Sequence, residues 1–171
     1  MTNFLVVIED NRGSVHRMSK EAIAGVQNLE GNVTALVLGA NAESLAQELS
    51  SVEIDKTLIV NHDMVLTYNS DGYTEVVTKV IQSIDPDVII AGHSYQTRDF
   101  MPRVSARLDI PFISDVTRVN GDNYTKQVLN AKLNCTISSS SEKKIISFQS
   151  ACFSDEDMQS GSSNYQTIDV D

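Results

Sequence analysis

Up to residue 108 the chain repeats one pattern: a short apolar run that stops at a polar residue or a glycine, then a segment of helical spacing. The runs are FLVVI at 4–8, VTALVL at 33–38, KTLIV at 56–60 and VIIA at 88–91. Continuous apolar runs of this length suit strands buried on both faces, and parallel neighbours need a crossover long enough to hold a helix. The pattern therefore predicts an α/β fold, a parallel sheet with helices on both faces joined by right-handed crossovers.

The helical segments differ in clarity. Tyr73, Val76, Val77, Val80, Ile81 and Ile84 make one apolar face, with Asp71 or Thr74 placed to cap the helix and Asp85-Pro86 to end it. After the first strand, Asn11-Arg12-Gly13 reads as a turn, and a helix runs to about Leu29 from either Ser14 or Ser19. Asn41 is placed to cap a short helix carrying Leu45 and Leu49.

The fourth run opens the stretch on which function is expected to centre, residues 87–115, DVIIAGHSYQTRDFMPRVSARLDIPFISD. The strand delivers Gly92, His93, Ser94 and Thr97 into a polar loop at its carboxyl end, where open parallel sheets meet their ligands. Asp99 then offers a cap to a helix with Phe100, Met101, Val104 and Leu108 on one face, Pro102 falling in its first turn. From Val116 the period changes to two. Residues 117–119, 124–129, 133–137 and 144–148, separated by Asn-Gly and Ser-rich turns, predict a small antiparallel sheet that closes the domain.

These residues also carry a resemblance. Ala91-Gly92 with Ser94, Arg98-Asp99, Pro102-Arg103 and Ile113-Ser114-Asp115-Val116, in that order, resemble the signature of the N-terminal domain of the electron transfer flavoprotein alpha subunit. VVIEDNRG near the start, VLNAKLN and IISFQSACF extend the likeness over roughly residues 4–153. The resemblance implies a Rossmann-like sheet of the adenine nucleotide alpha hydrolase type. It implies a domain at 1–153 that pairs with a beta subunit in an FAD-containing electron carrier, fed by dehydrogenases and drained by a downstream acceptor. It favours Ser19 as the start of the first helix, and it makes Arg98, Asp99, Pro102, Arg103, Ser114 and Asp115 structural signature residues. In such a heterodimer AMP belongs to the beta subunit, and FAD sits mainly in a C-terminal alpha domain with a Gly/Arg-rich loop. The sequence reaches Asp171 without such a loop, so the chain reads as an N-terminal fragment or a shortened relative that does not retain FAD alone.

Composition limits the alternatives. With 171 residues, 41% of them hydrophobic, the chain suits one core. The net charge of -10 argues against nucleic-acid and anionic-membrane partners, and no apolar run approaches the ~20 residues of a membrane span. Five of the 23 acids fall in the last 21 residues, which hold no Lys or Arg, so 154–171 reads as an acidic linker or tail. Cys135 and Cys152 lack CxxC spacing and read as buried free thiols of a reducing compartment. Residue 4 already belongs to the first strand, with no basic or apolar leader before it, which points to a bacterial-type cytoplasmic protein, or to a matrix protein lacking its leader.

No constellation carries chemistry by sequence alone, so no catalytic residue and no metal site are expected. His93 is more simply a hydrogen-bonded loop residue than a base, Ser94 lacks a GxSxG elbow, and Glu9-Asp10 suits a solvated or capping pair. A helix start flanked by Ser94 and Thr97 offers donors to an anion, but GxGxxG and GxxxxGK[ST] are both absent. Asp99 and Arg103, four apart, suit an exposed ion pair; Arg103 buried against a neighbouring carbonyl or carboxylate would instead clamp the loop. Two functions of different class follow: the assembly domain of an electron carrier, and a free-standing AMP- or ATP-binding module using residues 92–97. Unpaired antiparallel edges also predict self-association when the chain is alone.

Overall fold

A computed structural model describes residues 1–170. Along the chain run β1 (Thr2–Val7), a hairpin of β2 (Asp10–Asn11) and β3 (Ser14–Val15), α1 (Arg17–Gln27), β4 (Gly31–Leu38), α2 (Ala42–Leu49) and β5 (Lys56–Val60). Then follow α3 (Ser70–Ile84), β6 (Val88–Gly92), α4 (Tyr95–Leu108), β7 (Phe112–Asn120), β8 (Asn123–Val128), β9 (Leu133–Ser138), β10 (Lys144–Phe148) and β11 (Asn164–Thr167). One nine-stranded sheet has the order β11-β5-β4-β1-β6-β10-β7-β8-β9. Its neighbours are parallel except at β7–β8 and β8–β9. This is the predicted α/β architecture: a Rossmann-like parallel sheet extended by antiparallel strands.

The period of two along β1 divides the core. Phe4, Val6 and Ile8 face one side with Ile23 and Val26 of α1 and Leu45 and Leu49 of α2. Leu5 and Val7 face the other with Val76, Val77 and Val80 of α3 and Phe100, Met101 and Val104 of α4. The helical faces read from the sequence are thus the buried ones.

β10 departs from expectation. Predicted as antiparallel, it lies between β6 and β7 and is parallel to both. All five of its residues are buried, so it is an interior strand; Lys144 at its start and the Ser-rich turn before it gave it the look of an edge.

Helix starts also differ. α1 is capped by His16, whose Nδ1 accepts the Met18 N–H at 3.1 Å, and by neither Ser14 nor Ser19. Ser19 is buried inside the helix and accepts the Glu9 N–H at 2.9 Å. α3 is capped by Asn69 through the Gly72 N–H at 2.7 Å, in place of Asp71 or Thr74. Asn41 occupies the N-cap of α2 but spends its amide on Asp10 Oδ2 at 2.7 Å. α4 begins at Tyr95 under a Ser94 cap, four residues before Asp99. Pro102 therefore lies within the helix on its exposed face, where the hydrogen bond it removes leaves a carbonyl to water.

Residues 154–170, expected as linker or tail, are polar and mostly exposed, yet they lie against the fold. Ser160 bridges to Val52, β11 pairs parallel to β5, and Ile168 and Val170 pack on the α3–α4 core. Cys152, expected buried, is half-buried in the turn after β10. Cys135, expected buried, is exposed because β9 is the last strand of the sheet and no described residue covers its face. Among the described residues no helix is long and apolar enough to cross a membrane.

Candidate functional site

The chain order reverses between β1 and β6, so the carboxyl ends of these two strands form the switch point at which such sheets open a crevice. Here the crevice is filled. Tyr73, Gln96, Thr97 and Phe100 close over Val7, Ile8 and Glu9, leaving a cavity of about 10 Å3. Small-molecule sites are typically ~300 to 1,000 Å3. Tyr68 stacks edge-on against Tyr73 at 4.9 Å and Tyr73 against Phe100 at 5.6 Å. Burial pushes the Tyr73 phenol up to about 12, so it is a neutral wall.

The loop leaving β6 is tied down residue by residue. At Gly92 an added Cβ would lie 2.6 Å from Met18 Cβ and 2.8 Å from Met18 O, so only glycine lets α1 approach this strand. His93 donates its N–H to Phe148 O at 2.8 Å. Ser94 Oγ accepts the Thr97 N–H at 3.0 Å and lies 3.3 Å from Thr97 Oγ1, both side chains being buried. The hydroxyls that the sequence offered to an anion are therefore engaged with each other and with the helix cap.

The two motifs that follow do different work. Asp99 accepts the Tyr68 hydroxyl at 2.7 Å, and Arg103 reaches from α4 to Asp71 of α3 at 2.6 Å. The expected Asp99–Arg103 pair is thus replaced by two links to other elements, and Arg103 is half-exposed, not buried. Arg107 repeats the link with Glu75, while Arg98 lies over the Tyr95 ring at 5.5 Å.

The ISDV segment forms a β-bulge. Ser114 and Asp115 together oppose Ser147, as the register passes from Ile146↔Ile113 to Phe148↔Val116, and Asp115 adopts φ 62°. The bulge turns Asp115 back toward β6. Its N–H donates to Ser147 Oγ at 3.2 Å, Ser147 Oγ lies 2.8 Å from His93 Nδ1, and His93 Nε2 lies 4.0 Å from Asp115 Oδ1. Gln149 reaches Asp115 Oδ2 at 3.4 Å, and Lys126 reaches Ser114 Oγ at 3.3 Å. Three separate signature stretches, AGHS, ISDV and SFQS, converge on this one cluster.

Ser147, His93 and Asp115 are the residue types of a hydrolase triad, but their geometry is not that of one. Ser147 is fully buried inside β10 and accepts a backbone N–H, so no substrate reaches its oxygen. Burial lowers the His93 pKa, with Asp115 opposing and Arg98 and Lys126 adding to the shift, which keeps the imidazole neutral.

Sequence reasoning missed Ser147, Gln149, Tyr68 and Glu21. Ser147 had a readable signal, a hydroxyl inside the apolar run Ile145-Ile146-Ser147-Phe148, since a buried polar group requires a partner. Glu21 is buried in α1 and accepts the Ala151 N–H at 2.9 Å and Arg17 Nε at 2.7 Å, fixing the turn after β10.

Two larger hollows, about 770 and 810 Å3, lie at the opposite, amino ends of the strands. Asp87, Asp122, Glu142 and Lys144 line the first, with Lys144 paired to Asp122, and Glu53 and Asp55 line the second. Among the described residues no group of three or more His, Cys, Asp or Glu side chains is arranged for a metal ion.

Comparison with known proteins bears on this geometry. Residues 4–171 match the electron transfer flavoprotein domain family. The chain belongs to that family. Its curated relatives include the electron transfer flavoprotein subunit alpha of Bacillus subtilis, 34% identical over 134 residues, 75% of this chain and 41% of that protein. The probable mitochondrial alpha subunit of Caenorhabditis elegans is 29% identical over 155 residues, 90% of this chain and 47% of the relative. That of Saccharomyces cerevisiae is 26% identical over 155 residues, 87% and 45% respectively. The chain spans less than half the length of these relatives. As an electron transfer flavoprotein domain it agrees with the alpha-type resemblance of its signature, whose residues fold into the bulge, the α3–α4 links and the Gly92 contact.

Proposed function

We propose that this chain is the N-terminal assembly domain of an electron transfer flavoprotein alpha subunit, without a catalytic centre of its own. It pairs with a beta subunit and supports an FAD held elsewhere in the heterodimer, through which electrons pass from dehydrogenases to a downstream acceptor. The observation that carries this reading is the family match over residues 4–171, joined to alpha-subunit relatives. Residues 1–153 form the domain, with the acidic segment after them acting as a strap along β5. Arg98, Asp99, Pro102, Arg103, Ser114 and Asp115 are scaffold residues in this reading.

The carboxyl-edge crevice does not fit a flavin or nucleotide phosphate, because Ser94 and Thr97 are already engaged and about 10 Å3 is open. That counts against the alternative, a free-standing AMP or ATP module at Gly92, His93, Ser94 and Thr97. The surface that does stand open is β9 at the end of the sheet. Leu133 is 57% exposed there and Leu129, beside it, 68%, which suits a partner subunit. AMP, in this reading, belongs to that partner. The compartment proposed is the bacterial cytoplasm, or the mitochondrial matrix in keeping with the names of the nematode and yeast relatives.

The test is a desalted preparation of the chain examined by absorbance and by calorimetry with AMP. The assembly reading expects no flavin absorbance, no tight AMP heat, and a stable complex when a cognate beta subunit is added. Stoichiometric flavin in the chain alone, or failure to bind the beta subunit, overturns it.

A further inference from the structure

We infer that His93, Ser147 and Asp115 form a proton-released latch, which ties the carboxyl ends of β6 and β10 to the bulge of β7 at neutral pH and frees them on acidification. The inference is independent of flavin and of any partner subunit. Its basis is which groups of the cluster can give a hydrogen and which can take one. Ser147 Oγ can accept twice but has one proton to give; the Asp115 N–H can only donate to it, and among the described residues His93 Nδ1 is the acceptor within reach of that proton, so the arrangement that satisfies the hydroxyl leaves Nδ1 bare and the imidazole proton on Nε2, toward Asp115.

Protonating His93 breaks that arrangement. Nδ1 becomes a donor, Ser147 Oγ then receives two donors, and its own proton loses its acceptor inside a fully buried strand. Compensation is weak. Asp115 stands 4.0 Å from Nε2, beyond the reach of a direct hydrogen bond, and the attraction it offers is outweighed by burial. Arg98 of α4 and Lys126 of β8 both oppose a positive charge at the ring, and α1 meets the neighbouring Gly92 through uncharged Met18.

The sign follows from burial. A folded-state pKa below the ordinary 6.5 means that the unfolded or opened state binds the proton better. The latch therefore contributes its full stability above about 6.5 and loses it as pH falls through the depressed folded value. What opens is defined by the bonds: the bulge at Ser114-Asp115, held by Ser147, lies where the parallel sheet passes into the antiparallel strands. Acid thus loosens the junction of the two parts of the sheet, ahead of the core.

The experiment is an NMR titration of the three histidines in the full chain from about pH 8 to about pH 5, with amide exchange followed at residues 113–117 and 145–149. His93 is expected to titrate below 6.5. Protection of those amides, corrected for intrinsic exchange, should fall by up to about tenfold per pH unit, the limit for opening linked to one proton. In His93→Gln the pH-dependent part of the loss should vanish. His16 and His62 cap helical turns elsewhere, so His16→Asn and His62→Asn should leave it in place. A His93 midpoint at or above 6.5 overturns the latch, as does an unchanged acid response in His93→Gln. If His93→Gln does not fold, the midpoint and the location of the lost protection in the unsubstituted chain decide alone.

Discussion

Tyr68 donates its phenolic hydroxyl to Asp99 across 2.7 Å, tying the loop after β5 to the first turns of α4. Burial, and then this bond, push the phenol well above its usual range, so Tyr68 remains a donor throughout the range of protein stability. Tyr68→Phe should cost about 0.5 to 1.5 kcal/mol in denaturant unfolding. In a double-mutant cycle with Asp99→Ala the two changes should be strongly non-additive. Arg103→Ala, whose partner is the exposed Asp71, should cost no more than about 1 kcal/mol and add independently to Asp99→Ala. Coupling of Arg103 to Asp99 would mean that the intrahelical pair forms in solution.

Phe100 is 2% exposed and packs edge-on against Tyr73, which itself lies under Tyr68. Phe100→Ala removes the buried end of this stack, and a cost of about 3 to 5 kcal/mol is expected from the cavity left behind. Gly92→Ala acts oppositely, by overfilling. Its methyl meets the Met18 backbone, which cannot swing aside, so a loss of about 1 to 3 kcal/mol is expected. Denaturant midpoints read both. An unchanged midpoint for either would displace α4 or α1 from the position described.

The parts of the fold set by periodicity were legible, and the parts set by single hydrogen bonds were not. The face of α3 from Tyr73 to Ile84 and that of α4 at Phe100, Met101 and Val104 follow from spacing, because burying an apolar stripe leaves few alternatives. Caps compete locally, and several residues near each helix start have suitable side chains. His16 won over Ser14 and Ser19 because Ser19 is drawn into the β1 end by the Glu9 N–H, a contact with no local signature. β10 was misplaced for a similar reason. Lys144 looks like a solvent-facing residue, yet its side chain is 7% exposed, paired with Asp122 and lying 5.8 Å over the Tyr124 ring. At the site, His93 and Asp115 were named separately, but their meeting depends on the bulge and on Ser147, which only the strand register brings together.

The two thiols should differ sharply in reactivity. Cys152 is half-buried, and burial, then the nearby Glu21 carboxylate, push its pKa up to about 11; Cys135 is exposed on β9. At neutral pH a thiol reagent should titrate one cysteine quickly and the other only slowly, at a rate that follows opening of the 149–153 turn. Mass spectrometry of the labelled chain should find the fast adduct on Cys135. Glu21→Gln, which weakens the hold on Ala151, should speed Cys152 without altering Cys135. Fast labelling of Cys152 in the unsubstituted chain would show that the turn is open.

β9 ends the sheet with an unpaired edge, and its exposed face carries Leu133 and Cys135. β10 is an interior strand, so an interface made by the antiparallel part of the sheet is confined to β8, β9 and the turns flanking them. Edge strands with exposed leucines invite another strand or a covering subunit, and a lysine on such an edge discourages both. Hydrogen exchange with a cognate beta subunit should therefore show new protection at 123–138 and little change at the already buried 144–148. In the absence of that subunit the chain should self-associate with rising concentration in sedimentation. Leu133→Lys should weaken both associations while leaving the unfolding midpoint nearly unchanged, since the residue is 57% exposed and contributes little to the core. Protection appearing only at 92–97, or association indifferent to Leu133→Lys, would remove this edge as the docking surface and transfer the role to another face of the domain.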